Sequence, residues 1–501
     1  LNFSGMTAQT AGTATADMTG VAFEYVGATG SGTITGSAGD DVLLGDTGES
    51  TNIDGGAGDD NITGGSAAET IAGGDGDDTI AGGGGADTIT GGAGGDTITL
   101  GGTLESVDAG AGDDTVIAAG NLTFGTSIAG GDGTDTLSVA ALGSAAVGSV
   151  ITGFETLTIA GDVTVDLDNA ANNTFATVQV GNNTVTVQSV RSENITATAA
   201  QGGDLTVTME DATGSADSLT ITYSTDGATD FGAAGAIVAA GVETVNVVLD
   251  DANDDADHQN TIDLGVAAAT TLNLSGDAGA IFGTGGSADI SLVTTMDASG
   301  VVLSAATAAG VTYAASYNVV GGATDLTGSN GVDSLTGAAN TDDTLSGGAG
   351  VDTLVYTGGT DTFTGGAGND VHDVDAAGAD AGALTITDIA DGDTIDLVGA
   401  SSGGAIANVT ATNWDAADIT GTLGASATLA NYLDAACDQD GSSNGVLEWF
   451  QFGGNTYIVL SNDNTTGAAA GFTAGTDVAI LLTGTHDISD SSVTSEIITI
   501  A

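Results

Sequence analysis

Apolar residues recur along this chain at two different intervals. From 73 to 99 the sequence reads GGDGDDTIA GGGGADTIT GGAGGDTIT, in which one isoleucine returns every nine residues, two positions after an aspartate. Other stretches, such as TVTVQSV and SLTITYST, alternate polar and apolar residues between Gly, Asn or Asp turns. Such alternation is typical of half-buried strands, so the pattern predicts an all-β protein with many short strands. One stretch, NWDAADITGTLGASATLANYLDAACD, spaces its apolar residues by three and four and is the one convincing helix candidate.

The nine-residue repeat occupies two separate arrays. The first extends from 36 to 138, and the second, with the segment that closes it, from 328 to 400. Between them, at 139–327, the alternating stretches predict a central β-rich region, either a β-sandwich or an irregular β-solenoid. We expect an N-terminal strand or cap at 1–35 and a C-terminal cap at 401–501. The predicted fold class is therefore all-β, with parallel β-roll or β-helix arrays on either side of the central region.

Each position of the repeat has a chemical role. Its glycines can adopt positive φ and leave their carbonyl oxygens unhindered, while its aspartate adds a hard anionic oxygen, and Ca²⁺ takes about six to eight oxygen ligands. The aliphatic residue points the other way and stacks on its equivalents in neighbouring coils, so we expect a dry interior built from Ile62, Ile71, Ile80, Ile89 and Ile98. The pattern G-G-x-G-x-D-x-U-x is that of calcium-binding parallel β-helices. A Gly/Asp low-complexity segment without bound ions would lack the registered aliphatic residue.

The register of the repeats identifies the candidate calcium ligands. Glu69 takes the aspartate position in GGSAAETIA. This turn also lacks the glycine at the fourth position of the motif, which indicates a weakened or empty site. His372 falls where the aliphatic residue belongs, and we expect it to close the end of the spiral rather than bind an ion. The candidate ligands are Asp41, Asp60, Asp78, Asp87, Asp96, Asp114 and Asp135 in the first array and Asp333, Asp343, Asp352, Asp361 and Asp370 in the second.

The charge of the chain restricts its partners. The 501 residues include 67 acidic side chains and one basic residue, Arg191, which gives a formal net charge of −66. A single cation cannot neutralise phosphates, so nucleic acid and anionic membranes are excluded as direct partners. No apolar run approaches the about 20 residues that cross a membrane as a helix. Because Cys437 is the only cysteine, the chain has no internal disulfide, and we expect metal ions to provide the cross-links.

The first residues, Leu1 to Ser4, lack the basic, apolar and small-residue pattern of a secretory signal. The chain does not begin with methionine, so we expect a processed or truncated protein. Its anchor, for example to a cell-surface polysaccharide, would then lie in a region outside these residues.

The repeats resemble those of the RTX family of secreted bacterial proteins, and so do other segments. ITDIADGDTIDLVG resembles the segment that closes the family's β-roll, and GGNTYIVLSNDNTTGAAAGFTAGTDVAILLTGTHDIS resembles its C-terminal cap. The final SEIITIA resembles an uncleaved type I secretion signal, and VITGFETLTIAG and GVETVNVV resemble parts of RTX-type surface-layer proteins. The resemblance implies a secreted, extracellular or cell-surface protein that binds several Ca²⁺ ions. Such a chain stays unfolded at low cytosolic calcium and couples calcium binding to folding outside the cell.

RTX proteins include proteases, lipases and toxins, so catalytic motifs have to be sought in the chain itself. We find no His-Glu-x-x-His zinc motif and identify no serine nucleophile elbow, and we therefore predict that the protein is not an enzyme. Two acidic pairs, Asp250 with Asp251 and Asp254 with Asp255, are interpreted as additional calcium ligands rather than a glycosidase pair. The three histidines are isolated from one another: His258, His372 and His486.

Three non-catalytic functions remain. An ice-binding or polysaccharide-binding solenoid is suggested by Thr-x-Thr runs at 184–186 and 206–208, but ordinary strand propensity explains them. An adhesin usually contains tandem sandwich domains of similar sequence, and we see no such duplication. We therefore predict a calcium-dependent, self-assembling surface-layer (S-layer) subunit whose partner is a second copy of itself. The alternatives are an RTX adhesin, an extracellular filament subunit or a non-catalytic fragment of a larger RTX exoprotein.

Overall fold

A computed structural model shows the architecture of the chain. The residues it describes are 13–15, 24–26, 32–45, 48–101, 105–118, 125–140, 142, 150–170, 172–181, 184–191, 194–198, 204–210, 216–225, 237–251, 259–282, 290, 292–304, 308–314, 322–374, 384–397, 427–438, 446–461, 478–488, 491–494 and 497–500. They form two compact units. The first comprises Leu1–Gly214, Leu219–Ile221 and Ile237–Ala240, and the second comprises Ser215–Ser218, Thr222–Ala236 and Gly241–Ala501.

The first unit is a parallel β-solenoid. Successive strands alternate between two ladders, so each strand pairs with the second strand after it rather than with the next one. One ladder contains β1 (Thr13–Thr15), β3 (Gly32–Thr35), β5 (Thr51–Ala57), β7 (Thr70–Asp75), β9 (Thr88–Ala93), β11 (Ser106–Ala111), β13 (Ser127–Asp132) and β15 (Val150–Thr152). The other contains β2 (Glu24–Val26), β4 (Val42–Leu44), β6 (Asn61–Thr63), β8 (Thr79–Ala81), β10 (Thr97–Leu100), β12 (Thr115–Ala118), β14 (Thr136–Val139), β16 (Thr156–Ile159), β18 (Thr177–Val180) and β20 (Asn194–Thr198).

A third ladder continues the first unit through the predicted central region. It pairs β17 (Val163–Asp166), β19 (Val185–Val190), β21 (Leu205–Met209) and β23 (Ile237–Ala240), and a 3-10 helix (Leu167–Ala170) follows β17. A further strand, β22, spans Ser218–Thr225. These pairings are parallel, as they are in the first array. Of the two alternatives for the central region, the solenoid is therefore the one observed.

The second unit is also a parallel solenoid, and antiparallel strands cover its last coil. One ladder contains β24 (Thr244–Asp251), β27 (Thr271–Gly276), β29 (Thr295–Val301), β31 (Asp325–Thr327), β33 (Thr344–Ala349), β35 (Thr362–Ala367), β37 (Leu384–Ile386), β41 (Val478–Leu482), β40 (Asn455–Ser461) and β39 (Val446–Phe452). The other contains β25 (Gln259–Ile262), β28 (Gly279–Phe282), β30 (Ala309–Ala314), β32 (Val332–Thr336), β34 (Thr353–Val355), β36 (Val371–Asp373), β38 (Thr394–Asp396), β43 (Ile497–Thr499) and β42 (Ser492–Thr494). A two-residue strand, β26, spans Leu264–Gly265.

The helix candidate is confirmed in its last ten residues, which form α1 (Leu429–Asp438). Its earlier part, 413–426, lies outside the described residues. The apolar face of α1 packs on the β39–β40 hairpin, where Ala436 and Cys437 contact Phe450 and Val459 in one buried cluster. The end of the segment that resembles a secretion signal forms β43 and pairs with β38. No described helix is both long and apolar enough to cross a membrane.

The interior of the arrays is dry, as the repeat predicts, but it has two walls. Ile71 pairs with Ile53 and Ile89, whereas Ile80 pairs with Ile62 and with Ile98 on the opposite ladder. All of these isoleucines are at most 2% exposed. One coil takes 18 residues, because each nonapeptide supplies only half of it. Each buried isoleucine contributes about 1.5–3 kcal/mol of transfer free energy, and this stacking holds the flat spiral together.

Candidate calcium sites

The aspartates predicted to bind calcium lie in the turns that lead into the strands, and they separate onto two edges of each array. In the first array, the turns before β4 to β14 of the second ladder form an edge that we call the major edge. The opposite edge, which we call the minor edge, leads into β7, β9 and β11 and carries Glu69, Asp87 and Glu105. Consecutive repeats alternate between the edges because each is half a coil. The major edge carries Asp41, Asp60, Asp78, Asp96, Asp114 and Asp135.

One oxygen of each major-edge aspartate from Asp60 to Asp135 connects two coils. The backbone amide of Asp60 donates to Asp78 Oδ1 at 2.8 Å, that of Asp78 to Asp96 Oδ1 at 2.8 Å, and that of Asp96 to Asp114 Oδ1 at 2.7 Å. The second array repeats this contact, with the Asp352 amide donating to Asp370 Oδ1 at 2.9 Å. The Oδ1 atoms are therefore used by the protein itself.

The other oxygen has no such partner. Asp78 and Asp96 are 1% exposed, and their Oδ2 atoms are buried without accepting a hydrogen bond. Burying an ionised carboxylate oxygen without compensation is strongly unfavourable, because the charge loses its hydration. A bound cation would compensate for this loss. The same description holds for the Oδ2 atoms of Asp60, Asp87, Asp114, Asp135, Asp343, Asp352 and Asp361.

A glycine without a side chain leaves room for an ion beside each of these oxygens. A methyl group built on the α-carbon of Gly73 would lie 2.2 Å from Asp78 Oδ2 and 2.6 Å from the carbonyl oxygen of Gly91 on the next coil. In the second array, a methyl group built on the α-carbon of Gly347 would lie 2.3 Å from Asp352 Oδ2 and 2.6 Å from the carbonyl oxygen of Gly365 on the next coil. Carboxylate and carbonyl oxygens from two coils thus converge over a bare α-carbon, which fits Ca²⁺.

Backbone carbonyls would have to supply much of the coordination. No group of three or more His, Cys, Asp or Glu side chains is arranged around a common point within the described part of the chain. The turns have the conformation that exposes carbonyls, since Gly74 and Gly76 have φ values of 129° and 130°. One carboxylate per turn together with several carbonyls is a donor set of hard oxygens, which Ca²⁺ prefers over nitrogen or sulfur.

Burial makes these carboxyl groups weak acids in the absence of an ion. It raises the pKa of Asp96 to about 7 and that of Asp114 to about 6, and neighbouring carboxylates add to the effect. In the second array, the same cause raises the pKa of Asp352 and of Asp361 to about 7. Without Ca²⁺, neutral pH therefore lies close to the point at which these groups lose their protons.

This arrangement predicts opposite responses to acid with and without calcium. Because the pKa values of about 6–7 in the folded state exceed the value of about 3.9 for an unfolded aspartate, protonation stabilises the calcium-free fold. That stabilisation is complete below about pH 4 and is lost as the pH rises through about 6–7. In chelator, the β-sheet circular dichroism signal should therefore increase when the pH is lowered from about 7.5, where we expect the chain to be unfolded, to about 5. At limiting calcium the melting temperature should fall over the same change in pH, because protons compete with the ion. Circular dichroism tests both trends, and a calcium-free chain that gains no β-sheet signal in acid would contradict the prediction.

The ends of the arrays satisfy their aspartates differently. Both carboxylate oxygens of Asp333 accept hydrogen bonds, from the Val311 amide and from Ser329, whose amide donates to Oδ2 at 2.8 Å. At the start of the first array, Asp41 Oδ2 accepts a hydrogen bond from the Ser37 amide. These end turns have donors of their own, so they have less need of a cation than the turns inside the arrays.

Other acidic residues at equivalent positions were missed by the sequence analysis, Glu105, Glu155 and Asp393 among them. Glu105 is 2% exposed on the minor edge. Glu155 Oε2 accepts the Asp135 amide at 2.8 Å, and Asp393 Oδ1 accepts the Asp370 amide at 2.9 Å. Each stands two residues before a buried aliphatic residue, as in Asp393-Thr-Ile395. That spacing was a usable signal, but it was obscured because most glycines of the nine-residue motif are replaced there.

His372 belongs to the core, but it does not close the spiral. It is fully buried in β36, in register with Leu354 and Ile395, and its ring stacks on Phe363 at a centroid distance of 6.3 Å. Burial lowers its pKa to about 4, so the ring is neutral. The expectation that it ends the spiral is wrong, because β38 and β43 pair beyond it.

Other residues from the sequence analysis lie in less informative places. Asp250 is exposed on β24, and the His486 amide donates to Thr456 Oγ1 at 2.8 Å. Two stretches, GASSG from Gly399 and GSSNG from Gly441, do match the spacing of G-x-S-x-G, and both lie outside the described residues. So do His258, Asp254 and Asp255, while the side chain of Asp251 is not described.

Comparison with known proteins agrees with this geometry. A family model of the RTX calcium-binding nonapeptide repeat matches residues 26–49, 48–80, 63–98, 320–354 and 337–371. These matches fall on both arrays, and the repeats bind calcium at multiple sites. The same coil-to-coil contact continues beyond the first group of matches, to Asp114 and Asp135. No curated protein matches the chain.

Proposed function

We propose that this chain, which is an RTX-type protein, acts outside the cell as a calcium-dependent structural protein, most specifically as a subunit of a bacterial surface-layer lattice. The observation that carries the proposal is the row of buried aspartate oxygens without hydrogen-bond partners, because cohesion between coils then depends on bound cations. Extracellular calcium modules work at about 10⁻⁴–10⁻³ M calcium, far above cytosolic levels. The fold is therefore suited to the cell exterior.

Export before folding follows from the same dependence. With 67 acidic residues and one basic residue, the calcium-free chain repels itself at neutral pH. Its one basic residue, Arg191, forms salt bridges with Asp168 and Glu210. The chain therefore has no other Lys or Arg side chain to offset the remaining negative charge. A type I secretion signal at the C terminus would be accessible only before folding, because Ile498 is fully buried in β43. We propose the type I route on this basis.

Exposed acidic residues support the lattice part of the proposal. Asp59, Asp77 and Asp113 form a row on the outside of the major-edge turns, which we call the outer file. Each of them uses Oδ1 to accept a backbone amide of the next coil, at 2.7–2.9 Å. The exposed Oδ2 atoms present negative charge to any neighbouring molecule. Cations shared between molecules would offset this repulsion and make assembly calcium-dependent.

We further propose that the protein has no catalytic role and that its main partner is a second copy of itself. Adhesion and filament formation are the competing functions. They differ from a lattice in the geometry of the assembly rather than in the calcium chemistry of one chain.

Assembly provides the test. Purified protein at millimolar calcium should form ordered sheets in negative-stain microscopy, and folding should be complete at a lower calcium concentration than assembly. Substitution of the outer file by Asn should leave folding intact and weaken assembly, because each Asn keeps its amide contact but loses its charge. A wild-type protein that stays a folded monomer in light scattering across the calcium range would overturn the lattice proposal, and filaments without sheets would favour the filament alternative.

A further inference from the structure

One wall of the first unit has an outer face without charge. In the ladder of β4, β6, β8, β10, β12, β14, β16 and β18, the residues on either side of the buried aliphatic residue point outward. All of them are exposed or half-buried, and none is acidic or basic. We call this surface the threonine face, and it consists of Val42, Leu44, Asn61, Thr63, Thr79, Ala81, Thr97, Thr99, Thr115, Ile117, Thr136, Ser138, Thr156, Thr158, Thr177 and Gln179.

The threonine face is regular. Its strands pair in parallel without a shift of register, so the outward side chains stand in two straight columns. Six successive strands place a threonine in the same column, namely Thr79, Thr97, Thr115, Thr136, Thr156 and Thr177. Neighbouring strands are about 4.8 Å apart, so the hydroxyl groups repeat at that interval along the wall.

The acidic residues of the first array avoid this wall. The outer file lies in the turns that precede its strands, so those carboxylates border the threonine face without interrupting it. In the second unit, the ladder that begins with β24 has Asp297 and Asp325 exposed in outward positions. Strand propensity favours threonine on any exposed strand, but it does not explain why charge is absent from eight successive strands of so acidic a chain. The opposite ladder of the first array carries the exposed Asp54, Asp75, Asp108 and Asp132.

Exposed apolar side chains lie on the same face. Val42 is 45% exposed and Leu44 is 37% exposed, on either side of the buried Leu43. Ala81 and Ile117 follow Leu44 in the second column. Neighbouring apolar groups on a surface mark a contact with another molecule. Two copies of a chain with a net charge of −66 repel one another through most surfaces, and an uncharged wall avoids placing carboxylates opposite carboxylates.

We propose that a second copy of this chain docks on the threonine face, face to face about a two-fold axis, in the assembled lattice. A hydroxyl group both donates and accepts hydrogen bonds, so a threonine surface is complementary to itself, as a two-fold contact requires. Calcium ions shared by the bordering outer files would then lie at the rim of the contact. This inference rests on the proposed lattice function and adds which surface of the subunit meets its copy.

The size of the face predicts a contact that is weak in isolation. Eight strands about 4.8 Å apart, each contributing three residues of about 3.3 Å, make a wall of about 34 by 10 Å. That is roughly 340 Å² per molecule, whereas a stable complex buries about 800 Å² per partner. We therefore expect the contact to persist in an extended assembly, where several contacts hold each subunit at once, rather than in a free dimer.

A charge placed on the threonine face tests the proposal. Thr79→Asp adds a carboxylate to this face, and Thr88→Asp adds one to the opposite ladder as a matched control. Both threonines are exposed, and each directly follows a buried aspartate. At millimolar calcium, Thr79→Asp should need at least about tenfold more protein than the wild type to form sheets, because like charges would face one another across the contact. Thr88→Asp should assemble as the wild type does, and circular dichroism checks that both variants fold.

Cross-linking gives a second measurement that adds no charge. Thr97 lies near the middle of the face, so two copies related by a two-fold axis bring it close to its own counterpart. Facing sheets lie about 10 Å apart, a distance that a short bis-maleimide spans. In assembled sheets the reagent should link Thr97→Cys into dimers and should leave Thr88→Cys and the wild type unlinked. The native Cys437 is only 1% exposed, which keeps the background low.

Each result supports or overturns the contact. If the wild type assembles and Thr79→Asp assembles at the same concentration, or if Thr97→Cys is not linked, the threonine face is not the contact, while the lattice proposal stands. Equal weakening by Thr79→Asp and Thr88→Asp would assign the effect to net charge and would also overturn the contact. A wild type that never assembles overturns both proposals. If Thr79→Asp does not fold, the cross-linking of Thr97→Cys decides.

Discussion

Removal of calcium at pH 7.5 should abolish most of the β-sheet circular dichroism of this protein. The buried Oδ2 atoms of both arrays would then carry charge without hydrogen bonds, water or a cation. Burial and neighbouring carboxylates already raise the pKa of Asp96 and Asp352 to about 7, so these groups are substantially ionised at this pH. The resulting repulsion acts between successive coils, where the apolar stacks are thin. We therefore expect a cooperative loss of structure rather than local loosening.

Far-ultraviolet circular dichroism spectra recorded with and without chelator test this expectation. Added calcium should restore the spectrum, whereas magnesium should do so poorly, because it prefers strict octahedral coordination and retains its waters. A β-sheet spectrum that persists after exhaustive chelation would show that the buried Oδ2 atoms do not require bound ions. The prediction that folding depends on calcium would then be wrong.

The second large effect should come from three substitutions on the major edge, Asp78→Asn, Asp96→Asn and Asp114→Asn. Each Asn can still accept the backbone amide at Oδ1 but loses the charge at the position of the buried Oδ2. If each site is held at about 100 times its dissociation constant, its ion contributes about 2.7 kcal/mol and three ions contribute about 8 kcal/mol. That is comparable to the about 5–15 kcal/mol that stabilises a typical domain. We therefore expect the first array to be unfolded or strongly destabilised at calcium concentrations that fold the wild type.

The outer file offers a matched control. It is the triple variant Asp59→Asn, Asp77→Asn and Asp113→Asn, which replaces the same residue type and removes the same total charge. Asp77 and Asp113 directly precede Asp78 and Asp114 in the sequence, but the side chains of all three control residues are exposed. Surface changes of this kind usually shift stability by no more than about 0.5 kcal/mol each. Urea unfolding of both triple variants at saturating calcium gives the comparison. Equal destabilisation of the two variants would mean that net charge, rather than bound ions on the major edge, controls folding.

Local features of both arrays could be predicted from the sequence because they depend on a few neighbouring residues. The glycines, the aspartate and the aliphatic residue occur within nine residues, so their roles in turn, ligand and core follow from backbone conformation and side-chain chemistry. Burial of Ile71 and Ile80 and of Asp78 and Asp96 agrees with those roles. The central region was left between sandwich and solenoid, because alternation defines a strand face but not the strand that pairs with it.

The nine-residue pattern therefore specifies the repeating unit, which is an acidic glycine turn followed by a short strand with one buried aliphatic residue. Which units become neighbours is visible only in the folded chain. Because a coil takes 18 residues, Asp78 meets Asp60 and Asp96, while Glu69 meets Asp87 on the opposite edge. The fold also shows that most aspartates inside the arrays accept a backbone amide with Oδ1 and keep Oδ2 buried without a hydrogen-bond partner. Pairing across coils depends on hydrogen bonds between segments distant in sequence, and no nine-residue pattern specifies them.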